Sequence, residues 1–179
     1  SKRFRNYEIL IITNNSNKAI EQIKKEINYK KIKYLSYYSF NSISSDIFLI
    51  KVFLLLFKPL LFLLSFFQMI VIVKKISFDA LLANCGGYGN FRDEMAGILA
   101  CKALNKKNIH LLIHHCYVGQ IFWNYLINLI NIYIGKISDS LIFVSHATKK
   151  SIENNTSLLT YSKKKSVIHN GVLIRKFKK

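Results

Sequence analysis

Apolar runs of strand length alternate along this chain with longer helix-like segments, the pattern of βαβ units around a parallel sheet. Tyr7–Thr13 (YEILIIT) is a short apolar run closed by the polar cluster Asn14–Asn17. Lys18–Ile27 follows, with Ile20, Ile23 and Ile27 on one helical face. Lys31–Ser36 reads as a second strand, and Ala80–Asn84, His110–His114, Ser140–Val144 and Ser166–His169 supply four more. Asp93–Leu104, Gly119–Lys136 and Ala147–Asn155 are each long enough for a crossover helix. Six strands with helices between them predict one α/β domain over residues 1–179, a doubly wound and mostly parallel sheet.

Ile47–Val73 departs from this rhythm. It contains VFLLLFKPLLFLLSFFQMIVIV, with Lys51 near its start and Lys74-Lys75 after it. About 20 apolar residues suffice to cross a bilayer. Lys58 and Pro59 fall near the middle, however, where a lysine costs roughly 2.5–3.5 kcal/mol and a proline breaks a helical hydrogen bond. A full crossing would also put strands of one sheet on opposite sides of the membrane. Docking in the interface is therefore the favoured reading, with a buried crossover helix and a true span as the alternatives.

Composition narrows the class. At 51% hydrophobic residues the chain has ample material for a core, which excludes an intrinsically disordered protein. The formal charge of +18 invites a nucleic-acid reading, yet the cations are nearly all lysines, the arginines being Arg3, Arg5, Arg92 and Arg175. Arginine is the better bidentate reader of phosphate, so an anionic membrane surface is the expected partner and nucleic acid is not. A solvated lysine surface is the plain alternative. Cys85, Cys101 and Cys116 are odd in number and lack metal-ligand spacing, which predicts reduced thiols, no metal and a cytoplasmic setting.

Three segments then carry a resemblance. Phe78–Asn90 (FDALLANCGGYGN), Asp139–Ala147 (DSLIFVSHA) and Val167–Val172 (VIHNGV) resemble, in order and spacing, segments of the N-terminal domain of family 4 glycosyltransferases of the GT-B fold. The resemblance covers roughly the last hundred residues and implies a Rossmann-like domain, the N-terminal, acceptor-side half of a GT-B enzyme. It implies a hexosyltransferase that moves sugar from a nucleotide-sugar donor, used as substrate, onto a lipid-linked or polysaccharide acceptor of the cell envelope. No cofactor is implied. Only eight residues follow Gly171, so the family's donor domain with its E-x7-E motif is expected on a separate partner chain or in a continuation of the gene. This half is expected to be inactive alone, and to sit on the cytoplasmic face of the plasma membrane. A non-catalytic, membrane-recruiting subunit is the alternative, and a basic nucleic-acid-binding module a more distant one.

The candidate site residues fall at the carboxyl ends of the predicted strands, where open α/β sheets bind ligands. By resemblance, His114 is the histidine that lines the cleft and positions the transferred sugar, with His115 beside it or packed against the core. Gly86, Gly87 and Tyr88 form a loop that lets backbone approach a ligand, or simply a tight turn. Arg92 beside it can hold an acceptor phosphate or be solvated. The loop after the first strand, where the family often has glycines, holds Asn15 as a candidate hydroxyl contact. Asn170 and Gly171 are expected to form the exit turn toward the donor domain. Ser145 is expected to cap a helix, and Cys116 to be a buried, inert thiol.

Overall fold

The computed structural model describes residues 8–14, 32–40, 43, 46–86, 88, 91–117 and 123–169. Within them run β1 (Ile9–Asn14), β2 (Ile32–Tyr37), α1 (Phe48–Leu56), α2 (Lys58–Lys74), β3 (Leu81–Cys85) and α3 (Asp93–Ala103). β4 (Ile109–Ile113), α4 (Asn124–Ile137), β5 (Ser140–Phe143), α5 (His146–Asn155) and β6 (Lys165–Val167) complete the order. All pairings between strands are parallel. The helix expected over Lys18–Ile27 lies outside the described residues.

The single six-stranded sheet expected above is corrected in one respect. β1 pairs with β2, and β3-β4-β5-β6 form a separate four-stranded sheet in sequential order. Hydrophobic runs specify where strands are, but which edges join is decided by long-range pairing that no run of a few residues encodes. The fold is nonetheless α/β and parallel, with α3, α4 and α5 as the crossovers between successive strands of the larger sheet.

Alternation along these strands sorts the two faces of the larger sheet. Ala83 and Cys85, Ile109, Leu111 and Ile113, and Leu141 and Phe143 share one face through the strand register, and all are buried. On the other face Leu82 is 55% exposed and His110 bonds across to Ser140 (2.8 Å). The buried face is covered by helix residues including Met95, Ile98, Ile127, Ile134 and Ile152. Gly135 is required where α4 passes the chain after α5, because a β-carbon there would strike the backbone carbonyl of Leu158.

Helix ends follow local chemistry. α3 begins with Asp93 and Glu94 and ends near Lys102, matching the sign of its dipole at each end. Ser145 caps α5 as expected, its Oγ accepting from Thr148 N at 3.0 Å. The apolar run Ile47–Val73 is divided at Phe57, and α1 and α2 meet at a bend of 61°. Pro59 sits in the first turn of α2, where its missing N–H has no partner to lose, so it starts a helix instead of kinking one.

Asp139 ties β5 to β4. Its carboxylate accepts from Ile109 N at 2.9 Å and from Lys163 Nζ at 3.1 Å. The backbone donor is the main cause that holds the carboxyl below its ordinary range. A carboxyl depressed in the folded state adds stability above its unfolded pKa and loses it as pH falls through the folded one. Asp139→Asn is therefore expected to be less stable than the parent near neutrality. The gap should narrow as urea titrations move below about pH 4.

Candidate functional site

The site is built at the carboxyl ends of β3 and β4, adjacent strands in register. β3 ends at Cys85, whose carbonyl accepts from His114 N at 3.0 Å, so the first residue beyond β4 is held beside the first residues beyond β3. Gly86 follows Cys85, and Arg92 precedes the first residue of α3.

His114 is half-buried, and its Nε2 is shut away from solvent without a hydrogen-bond partner. A buried imidazole nitrogen that bonds to nothing forfeits water without compensation, at a cost of about 1–3 kcal/mol. Such an atom suits a hydroxyl or oxyanion supplied from outside, to which imidazole can donate or accept. Arg92 is in the same condition: its Nε is buried and unpartnered, and its side chain forms no ion pair with the described residues. Its backbone carbonyl instead accepts from Met95 N and Ala96 N to open α3.

Gly86 is exposed, and a β-carbon placed there would meet nothing within 4 Å. Packing of the fold therefore gives no reason for a glycine at that position. Tyr88 is corrected as a substrate contact. It is 1% exposed, and its hydroxyl donates to Asn131 Oδ1 on α4 at 2.8 Å. Burial holds that phenol well above its ordinary pKa, so it remains a donor. The hydrogen bond ties Tyr88 to α4. Tyr88→Phe leaves Asn131 Oδ1 buried and unmatched, and is expected to cost about 1–3 kcal/mol in urea denaturation.

Two further corrections concern neighbours of His114. His115 is exposed, so it does not pack against the core. Cys116 is exposed too, and not the buried thiol expected. The strand has ended at Ile113, so the alternation that would turn residue 115 inward no longer applies. Cys85 and Cys101 are buried, and burial pushes the Cys101 thiol up to about 11. Asn15, Gly87, Asn170 and Gly171 lie outside the described residues.

The structure adds groups that sequence reasoning passed over. Tyr37, the last residue of β2, donates its hydroxyl to Asp93 Oδ2 at 3.1 Å and connects the two-stranded sheet to the start of α3. Burial, and then Asp93, holds its pKa far above the ordinary value. Lys58, read only as an obstacle to membrane crossing, begins α2 close enough to Arg92 to feel its charge. The Lys-Pro pair inside an apolar run was the available signal, since it marks a helix start.

A cavity of ≈ 180 Å³ is lined by Tyr117, Asn124, Ile127, Asn128, Asn131 and Asn155, none of them a residue expected at the site, although Tyr117 pairs with Tyr88 and Asn131 accepts from its hydroxyl. Several of its amides are committed to the fold: Asn128 Oδ1 accepts from Ser157 N, and Asn155 Nδ2 donates to Ser151 O. Among the described residues, no cluster of histidine, cysteine, aspartate and glutamate could hold a metal ion. The chain matches no family model, no curated protein and no solved structure.

Proposed function

We propose that this chain is the acceptor-side domain of a membrane-associated glycosyltransferase that works opposite a domain binding the nucleotide sugar. The observation that carries the reading is the buried, unpartnered Nε2 of His114 at the carboxyl end of β4. The resemblance of Phe78–Asn90, Asp139–Ala147 and Val167–Val172 supports it independently. In this reading His114 hydrogen-bonds the transferred sugar or the charge that develops as the donor diphosphate departs. Gly86 leaves room for the acceptor, and Arg92 holds an acceptor phosphate. Docking through α1 and the outer side of α2 puts the domain on the inner face of the plasma membrane, where a lipid-linked glycan is presented.

A second reading, a non-catalytic subunit that recruits a partner to the membrane, is favoured by the exposure of α1, which has no buried residue. A transfer assay separates the two. The chain joined to a donor-side domain should transfer sugar to a lipid-linked acceptor, while the chain alone should transfer none. Submicromolar binding of a nucleotide sugar to the chain alone would contradict the acceptor-side assignment.

A further inference from the structure

The asparagines around the ≈ 180 Å³ cavity offer more hydrogen bonds than the fold uses. Asn124, Asn128 and Asn131 recur at i, i+4 and i+7 along α4 and so share one face of the helix. Asn155, the last residue of α5, lines the same cavity. Asparagine is a poor helix former because its carboxamide competes for backbone hydrogen bonds, so a stripe of three calls for a reason. The fold accounts for one end of three of these groups. Asn128 Oδ1 accepts from Ser157 N, Asn131 Oδ1 accepts from the Tyr88 hydroxyl, and Asn155 Nδ2 donates to Ser151 O. The amide nitrogens of Asn128 and Asn131 and the side-chain oxygen of Asn155 bond to no described residue, and neither end of Asn124 does. Asn131 carries the most weight. It is 2% exposed, and an amide buried with its hydrogens unspent gives up water for nothing.

The lining says what class of ligand fits. The chain carries a formal charge of +18, yet no charged side chain among the described residues lines this cavity. A phosphate, carboxylate or amine would enter without a counter-charge. An apolar ligand would strip the free amides of water and return no hydrogen bond. A ring of hydroxyls meets the lining, because each hydroxyl both donates and accepts, as a carboxamide does. Its C–H face can lie on the ring of half-buried Tyr117. The volume is below the ~300 Å³ at which sites for drug-sized ligands begin, which leaves room for one such ring. We infer that this cavity binds one neutral pyranose, free or as a unit of a glycan. The bridge between Tyr88 and Tyr117 sets it beside the loop that follows β3. The inference does not rest on the transferase reading, and a chain that transfers no sugar leaves it standing.

The test follows side-chain amide signals by nuclear magnetic resonance while the full chain is titrated with methyl pyranosides of glucose, galactose and N-acetylglucosamine. At least one of these should shift the amides of Asn128 and Asn131, with millimolar affinity. Asn124→Ala removes a side chain that bonds to no described residue, and Asn128→Asp keeps the acceptor for Ser157 N while deleting both donors. The double variant should keep its melting temperature and bind the pyranoside roughly ten- to hundredfold more weakly. If it melts early, Asn124→Ala alone supplies the comparison. A disaccharide that binds more tightly than its methyl pyranoside identifies a glycan as the occupant, and equal affinity identifies the free sugar; both uphold the site. Amides that no pyranoside shifts overturn the inference, and so does undiminished binding by the variant. A sugar phosphate that binds the parent more tightly than the neutral sugar overturns it as well, since the site would then serve anions.

Discussion

Replacing Phe48 and Leu49 together by aspartate is expected to release this protein from anionic vesicles. Both residues are on α1, at 75% and 76% exposure, so the fold loses little when they change. In the docked state they enter the boundary between headgroups and acyl chains. Each large apolar side chain taken out of water there contributes about 1.5–3 kcal/mol. Loss of both should weaken partitioning by more than about a hundredfold, before the cost of two new carboxylates near anionic lipid is added. High salt should weaken binding of the parent through lysine charge, while the aspartate variant should show little left to screen. Flotation of both proteins with vesicles, beside their thermal melts, is the measurement. Equal flotation at equal stability would rule out α1 as the docking element. If the parent resists alkaline carbonate extraction, a span replaces docking, although no single helix among the described residues is long and apolar enough to cross.

His114→Ala should have the second large effect, in an enzyme reconstituted with a donor-side domain. The parent Nε2 has no partner in this structure, so alanine removes no hydrogen bond made by that nitrogen. In the proposed function it removes a hydrogen bond to a group carrying charge in the transition state. That loss should cost ~2–4 kcal/mol, or roughly 30- to 1000-fold, and fall on turnover more than on acceptor binding. Exposed His115 serves as the control, and His115→Ala should leave stability unchanged. Steady-state kinetics on both variants decide the matter. Full activity in His114→Ala with loss in His115→Ala would assign the role to the wrong histidine.

The strands were legible because buried parallel strands are nearly continuous apolar runs. Ile109–Ile113 and Ser140–Phe143 lie within a residue of where periodicity put them. What stayed hidden depended on partners far along the chain. Tyr88 sits among glycines, which reads as a loop open to a ligand, yet its hydroxyl finds Asn131 on a helix 43 residues away. In the apolar run Ile47–Val73 the Lys58-Pro59 pair marked a helix start, but the 61° angle of the bend was not legible, because hydropathy sums composition and is blind to direction. The indole of Trp123 donates to Leu55 O at 2.9 Å across 68 residues and ties the end of α1 to the start of α4. Separation of β1 and β2 from the larger sheet was hidden for the same reason. His114 was legible by its place at a strand end, but its lack of a partner is visible only once the surrounding atoms are placed.

The central claim is that His114 belongs to an acceptor site, and nuclear magnetic resonance of protein labelled at histidine tests it most directly. A short-chain prenyl-diphosphate-linked monosaccharide in lipid nanodiscs should shift the ring signals of His114, and a nucleotide sugar alone should leave them in place. A nucleotide sugar that shifts His114 with submicromolar affinity would contradict the account. So would a chain that binds the nanodiscs while the glycan leaves His114 unmoved.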